Sequence, residues 1–463
     1  MQKLESFFKL KKYNTTVKVE VMAGITIFFS SVFAILTIPG MIGQGYARLM
    51  NGVFVAAVLS AAVGSLLKAF VANLPFVQVP GMGLGSYFAF TAMPALALLT
   101  GNPDMSLVEQ YQMALALVFV SGIAFVATSI GGIRQFIIEG VPRNIKVALG
   151  AGIGLFITSL GLRQSGIVVA NPGTFVSLVD FSSFSDYPIP VKGAVLALVG
   201  LIIMVVLYAK KVKGGILIGI VATTLLAYLT GHTTMPDSFA FNLGDITRDF
   251  FEVSFFRLDF SHFSGVSGAA LGSLITIGFT FLLVNLLDAL GTIYGIASAN
   301  GMVDEDGEVI GLQRGMTVDA MGTVFGALFG SSSTATTVSS ASGIAEGGRT
   351  GLTSLVTGLL FLSIIFLAPF VSLIPVVATA PALIFVGCLM MSHIKEVDFS
   401  EITEALPAFL TIAMMPMTSS IANGTSFGLI SYVLIKILTG RIKEIKWSSV
   451  IIALFFILQF ILG

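Results

Sequence analysis

Fifteen apolar blocks follow one another along this chain, at residues 21–39, 52–72, 83–99, 112–131, 147–162, 191–209, 214–230, 266–298, 315–330, 334–345, 351–371, 376–392, 404–419, 421–439 and 447–462. Most are close to the ~20 residues that a helix needs to cross the hydrocarbon core of a bilayer. In lipid every backbone N–H and C=O must find its partner within the protein, which leaves only helices and closed barrels as spanning structures. Blocks of this length select helices. The residue balance agrees, with 56% hydrophobic and only 10% charged residues, where a soluble domain carries roughly 25% charged. The chain reads as an all-α polytopic membrane protein without a soluble domain.

Several classes of function drop out at once. The 24 basic and 24 acidic residues cancel, so nucleic acid would find no electrostatic footprint. The single cysteine, Cys388, lies in an apolar run, and His232, His262 and His393 are far apart in polar connections. No disulfide framework, metal site or cofactor is expected. Nothing has the GxxxxGK[ST] form of a phosphate-binding loop, which argues against coupling to ATP. No Ser/His/Asp set or metal-ligand cluster supports an enzyme.

Lys and Arg gather on the cytoplasmic side of short loops and so orient the blocks. Residues 1–20, with Lys9, Lys11, Lys12 and Lys18, lack the apolar core and small-residue cleavage site of a secretory signal. They read as a cytoplasmic arm. Arg134, Arg143 and Lys146 return to the same side after four blocks, and Lys210, Lys211 and Lys213 after six. Residues 99–111 carry Asp104 and Glu109 without Lys or Arg, and 231–265 carry four Asp, one Glu and two Arg; both fall outside. Lys436, Arg441, Lys443 and Lys446 close the second half inside. Fourteen blocks fit this orientation. The fifteenth, 447–462, reads as an extra span, as an interfacial helix, or as the final span if 404–439 is one broken segment.

Within this frame one charge stands out. The run 266–298 holds a single side chain charged at neutral pH, Asp288. A carboxylate at bilayer depth costs about 2.5–3.5 kcal/mol on insertion scales, and such groups usually face a cavity, a partner or a proton path. The plainer reading of Asp288 is a structural helix-to-helix hydrogen bond. Asn285, Thr292 and Gly295 stand at i−3, i+4 and i+7 from it and share its helix face.

Two blocks are unlike ordinary helices. One is the Pro80–Ser86 stretch, PGMGLGS, and the other the Gly330–Ser340 stretch, GSSSTATTVSS. Gly and Pro lower helix propensity, and Ser and Thr compete for backbone hydrogen bonds. Non-helical backbone at membrane depth is tolerated only where it is buried in protein or lines a cavity. One block lies third among the first seven spans and the other third among the second seven. Interrupted segments at matching positions of two halves point to the binding site of an inverted-repeat transporter. Close packing of small residues is the alternative.

These segments carry a resemblance. GMGLGSYFAF (81–90), GIGLFITSLGLRQSGIVVAN (152–171), LLVNLLDALGTIYGIASANGMVDEDG (282–307), SGIAEGGRTGLTSLVTGLLF (342–361), ALIFVGCLMM (382–391) and LPAFLTIAMMPMTSSIANG (406–424) resemble the nucleobase–cation symporter or nucleobase–ascorbate transporter family. The match is to its AzgA-like permeases for adenine, guanine and hypoxanthine, and it runs in family order through nearly the whole chain. The resemblance implies fourteen spans in two inverted repeats of seven. A core domain of spans 1–4 and 8–11 (21–140 and 266–371) would move against a gate domain of spans 5–7 and 12–14 (141–230 and 372–463), with 231–265 an extracytoplasmic loop. It implies short strands in spans 3 and 10, with substrate between them against span 8.

Carried over position by position, the span 8 acid of the family maps onto Asp288. The family's third span usually reads Gly-Leu-Asn-Ala, with its Asn in the substrate site; here Gly83-Leu84-Gly85-Ser86 stands in its place. The tenth span usually has a Glu ahead of Ser-Ala-x-Gly; here Ser339 precedes Ser340-Ala341-Ser342-Gly343. The expected substrate-binding set is therefore Asp288, Gly85, Ser86, Ser339, Ser340, Asn285, Thr292 and Tyr87, with Asp288 also coupling protons. Tyr87 and Phe88 could stack on a planar ring or simply pack.

Three other charges have plainer readings. Lys68, near the inner end of span 2, is expected to snorkel to the interface, with a partner role toward Asp288 or an anionic substrate as the alternative. Arg349 in GGRTG reads as a cytoplasmic turn residue. The run Asp304-Glu305-Asp306 lacks the ligand spacing of an EF-hand and reads as a solvated loop.

The expected function is proton-coupled uptake of a nucleobase, most naturally a purine, across the cytoplasmic membrane, with a cytoplasmic N-terminus. The implied partners are a small-molecule nucleobase, a proton and the lipid bilayer, with a homodimer as a candidate assembly. The alternatives are a family member with changed specificity, for another planar heterocycle or an anion, and an uncoupled facilitator or sensor.

Overall fold

The computed structural model describes residues 2–462 apart from 103, 130–132, 172, 184–187, 213, 234–242, 264–267, 300–301, 303–308 and 368–372. The acidic run Asp304-Glu305-Asp306 lies outside the described residues. Among those described, nine helices are long and apolar enough to cross a membrane. Four shorter apolar helices, Gly215–Leu229, Gly351–Phe366, Ile402–Thr418 and Trp447–Leu458, accompany them.

The elements that frame the centre are few. In chain order they are α1 (Val17–Gly43), α2 (Ala47–Leu67), β1 (Gln78–Pro80), α3 (Met82–Tyr87), α4 (Leu107–Ala127) and α5 (Arg143–Gln164). After an exposed hairpin of β2 (Val168–Asn171) and β3 (Phe175–Leu178) come α6 (Gly268–Ala299), α7 (Leu312–Phe329), β4 (Thr334–Thr336), α8 (Ser340–Ala345), α9 (Gly351–Ser363) and α10 (Val376–Met390). A π turn, Lys68–Ala72, extends α2.

The two Gly/Ser/Thr-rich blocks flank a pair of strands. β1 and β4 pair antiparallel in the register Gln78↔Thr336, Val79↔Ala335 and Pro80↔Thr334. Every residue of both strands is buried, so backbone at this depth must be paired within the protein. The ladder continues past the strand ends, where Gly81 N donates to Ser333 O at 3.1 Å and Thr337 N to Val77 O at 3.0 Å. Pro80, which has no N–H to donate, ends β1 just before α3 begins.

The GGRTGLT stretch serves the fold. Thr350 caps α9 by accepting from Leu352 N, and the buried carboxylate of Glu20 on α1 covers the same helix end. Its oxygens accept from Arg349 N (2.9 Å), Thr350 N (3.3 Å), Thr353 N (3.2 Å) and Thr353 Oγ1 (2.6 Å). An anion against free N–H groups at a helix start is the favourable sense of the helix dipole. The Arg349 side chain turns back onto Ile344 O and Gly348 O, in keeping with a turn residue. An amide in place of the carboxylate gives up one acceptor site facing these donors. Glu20→Gln is expected to cost about 1–3 kcal/mol of stability, read as a lower thermal unfolding midpoint of the purified protein.

The N-terminal arm is anchored, with Phe8 and Leu10 packed against Ala69 and Leu352. Residues 404–439 are not one broken segment. Two helices, Ile402–Thr418 and Ile421–Leu438, meet at Ser419 (φ 51) and pack side by side. The last block forms a helix, Trp447–Leu462, against α6 and Ile421–Leu438. Part of the 231–265 connection is folded onto α2, where Asp249 accepts from Arg48 Nε (3.3 Å) and Asn51 Nδ2 (2.9 Å).

Candidate functional site

Asp288 stands two-thirds of the way along α6, on an otherwise uncharged helix of 32 residues. It is half-buried. Among the described residues its carboxylate has no hydrogen-bond partner, so the structural helix-to-helix bond does not form. Three residues on, Gly291 has no atom within 4 Å of the place a Cβ would take. This part of the helix face therefore borders open space.

Neutral polar groups collect where the strands meet the short helices. Ser86 Oγ, Ser331 Oγ, Ser332 Oγ, Thr334 Oγ1 and Asn285 Oδ1 are buried without a hydrogen-bond partner. Buried polar atoms are nearly always paired in a native structure, so each exception calls for an explanation. Gly85 brings two of these segments together. Its Cβ position is 3.4 Å from Ser332 Oγ and only 2.5 Å from Ile38 Cδ1. The space that the family's Asn side chain would enter is thus held by Ile38.

The other expected residues divide into bound and unbound groups. Asn285 gives its amide nitrogen to Thr323 Oγ1 (2.6 Å) and Ser333 Oγ (2.8 Å), tying α6 to α7 and the approach to β4. Ser339 donates to Ser30 O at 3.0 Å. Ser340 accepts from Val77 N at 3.1 Å, so its hydroxyl braces the start of β1, while that of Ser339 ties the chain to α1. Thr292 is buried one turn beyond Asp288. The Tyr87 ring is buried edge-on against Phe281 at 5.0 Å, and Phe88 packs similarly on Tyr111 at 6.0 Å. A cleft of about 270 Å³ between α1, α2 and α10, lined by Leu36, Met50, Phe54, Pro375 and Thr379 among others, includes none of the expected residues.

Lys68 overturns its sequence reading. It does not snorkel: the side chain is fully buried and ion-paired to Asp319 at 3.1 Å. Its ammonium also donates to Gly315 O at 2.7 Å. Lys68 is committed to α7 and is not the counter-ion of Asp288, which removes the motive for an anionic substrate. Nor is Asp288 the only carboxylate at depth. Asp319 accepts from Gln78 Nε2 (2.8 Å) and from Thr336 Oγ1 (2.8 and 3.0 Å), directly behind the strand pair. Sequence reasoning passed over Asp319, although an ionisable residue inside the apolar block 315–330 is the same kind of signal as Asp288. From Asp319 the network runs on. Thr323 Oγ1 donates to Asp319 O at 3.1 Å and receives Asn285, three residues before Asp288.

Residues 18–427 match the Permease family, that of the xanthine/uracil permeases. The chain is 35% identical to the adenine permease AdeP of Escherichia coli (strain K12), over 99% of this chain and 96% of that one. It is 36% identical to the guanine/hypoxanthine permease PbuO of Bacillus subtilis (strain 168), over 98% and 99%. Among solved structures, the transmembrane domain of a cyanobacterium bicarbonate transporter, BicA, matches with a TM-score of 0.59 and 17% identity, covering 86% of this chain and 96% of that chain. At that identity the likeness is one of fold, a mostly helical membrane transporter.

Proposed function

The chain belongs to the xanthine/uracil permease family, and from that premise we propose that it carries a nucleobase across the cytoplasmic membrane by proton-coupled secondary transport. As a permease it is a transporter rather than an enzyme. A purine such as adenine, guanine or hypoxanthine is the substrate that its relatives favour.

The observation that carries the reading is the carboxylate of Asp288, without a hydrogen-bond partner among the described residues, one turn along α6 from Asn285, whose Oδ1 is buried and unpaired like the hydroxyls of Ser86, Ser331 and Ser332. A carboxylate accepts from a ring N–H or an exocyclic amino group, and its protonation can alternate with substrate binding. Ser86 and Ser332 supply hydroxyls that either donate to ring nitrogens or accept from amino groups. Gly85, Ser339, Ser340, Asn285, Thr292 and Tyr87 shape and brace this site in the proposal. The placing of β1 in one half and β4 in the other favours two inverted repeats of seven spans. In that arrangement 21–140 with 266–371 is the core, 141–230 with 372–463 is the gate, and the basic arm is cytoplasmic.

Uptake of labelled adenine, guanine and hypoxanthine by proteoliposomes, with and without an imposed pH gradient, tests the reading. Accumulation that depends on the gradient supports it; binding with no accumulation points instead to a facilitator or sensor. A thermal-shift screen over purines, pyrimidines, xanthine, urate and ascorbate identifies the base, and no stabilisation by any of them counts against the nucleobase reading. Ser86→Ala should leave the unfolding midpoint unchanged, because Ser86 Oγ bonds nothing in the protein. The same change should weaken apparent affinity roughly 2- to 12-fold, the loss of about one neutral hydrogen bond to the substrate.

A further inference from the structure

The Lys68–Asp319 pair is a site in its own right. Both side chains are fully buried, at the point where the π turn leaves α2 and faces α7. A buried ion pair is weak evidence for stability, because desolvation opposes the attraction. Its surroundings tell more. The ammonium contacts a main-chain carbonyl, Gly315 O, and a carboxylate oxygen of Asp319. The Thr336 hydroxyl lies on the same carboxylate. The Gln78 amide reaches that carboxylate through its nitrogen and leaves its own oxygen buried and unpaired. Two oxygens, of Gly315 and Asp319, touch the ammonium itself; main-chain carbonyls beside unwound backbone are sodium ligands in transporters, and carboxylate and amide oxygens are general ligands of hard cations.

We propose that Lys68 is a tethered cation, its ammonium standing where a bound sodium ion would otherwise stand behind the strand pair. The positive charge that the strands need is then part of the chain, and the protein requires no sodium to hold them. Without the lysine side chain, the same oxygens form a site for a small monovalent cation, either sodium or a short alkylammonium.

The test reads stability, so its result does not depend on which base is carried and is separate from the outcome of the uptake assay. Exchange of sodium chloride for choline chloride at equal ionic strength should leave the wild-type unfolding midpoint unchanged. Lys68→Ala in choline should unfold roughly 3–5 °C lower, the scale expected for one partner of a buried pair removed from a chain of this length. Sodium or methylammonium should restore most of that loss with saturation. Lys68→Met fills the space without charge and should gain nothing from either cation. Lys68→Ala/Asp319→Asn should lose the cation response. The proposal is overturned if sodium stabilises the wild type as much as Lys68→Ala. It is equally overturned if neither cation shifts Lys68→Ala, or if that variant cannot be recovered folded even in sodium.

Discussion

Asp288→Asn is expected to abolish accumulation of nucleobase in proteoliposomes under an inward proton gradient, while leaving the protein as stable as the wild type. The two halves of this outcome have separate causes. The carboxylate has no hydrogen-bond partner among the described residues, so the isosteric amide breaks nothing in the fold. It also relieves α6 of an unpaired charge at membrane depth, which insertion scales set at about 2.5–3.5 kcal/mol. The unfolding midpoint should therefore hold or rise. Function should not hold. The amide cannot take up and release a proton, so the coupling step proposed for Asp288 is lost outright. It does keep one acceptor oxygen. Loss of a charged hydrogen bond, at about 1.5–3 kcal/mol, should weaken binding roughly 10- to 100-fold. Equilibrative exchange of labelled base should then persist at raised substrate concentration. Wild-type accumulation by Asp288→Asn would falsify the coupling role, and loss of exchange together with a lower midpoint would make Asp288 a structural residue instead.

What could be read in the sequence, and what could not, follows from the range of the interactions. Span positions come from local composition, and Asp288 and the two Gly/Ser/Thr-rich blocks show as local departures from it. Pro80 and the Ser/Thr run weaken helix on either side and so mark the two stretches as non-helical, while their forming strands is what the family resemblance implies. Pairings were another matter. Lys68 meets Asp319 across 251 positions, and Glu20 meets Thr353 across 333. No periodicity reports such contacts, so Lys68 was read by its nearest plausible environment, the interface. Gly85 shows the same limit from the other side. Its departure from the family pattern was visible, whereas its reason, Ile38 in the space beside it, belongs to another helix. Ser339 and Ser340, expected at the substrate, bond instead to Ser30 and Val77, partners again distant in sequence.

Distance also hid the role of two glycines. Gly64 on α2 and Gly322 on α7 resemble ordinary small-residue contacts between helices, yet the Gln78 side chain passes between them. A Cβ on either would overlap Gln78 Oε1, and at Gly322 it would also lie 2.8 Å from Gln78 Cδ. Gln78 cannot withdraw. Its backbone is fixed by pairing with Thr336 and by Ser65, whose hydroxyl accepts from Gln78 N at 3.2 Å and donates to Gln78 O at 3.3 Å. Gly322→Ala should therefore turn the amide away from Asp319 and break the 2.8 Å bond between them. The buried carboxylate then lacks a donor, at about 1–3 kcal/mol, and overpacking adds about 1–3 kcal/mol. The combined loss of about 2–6 kcal/mol should appear as a large fall in the unfolding midpoint. Uptake should fall with it, since the strands behind the site lose their support. Removing the obstructed side chain separates the two terms. In a Gln78→Ala background the added methyl meets no amide, so Gly322→Ala should cost little more there. The double-mutant cycle should give a coupling close to the whole cost of Gly322→Ala, about 2–6 kcal/mol, at or above the usual ~0.5–3 kcal/mol for residues in contact. Additive losses would mean that the methyl strains α7 by another route, and that Gln78 does not link the strand pair to Asp319.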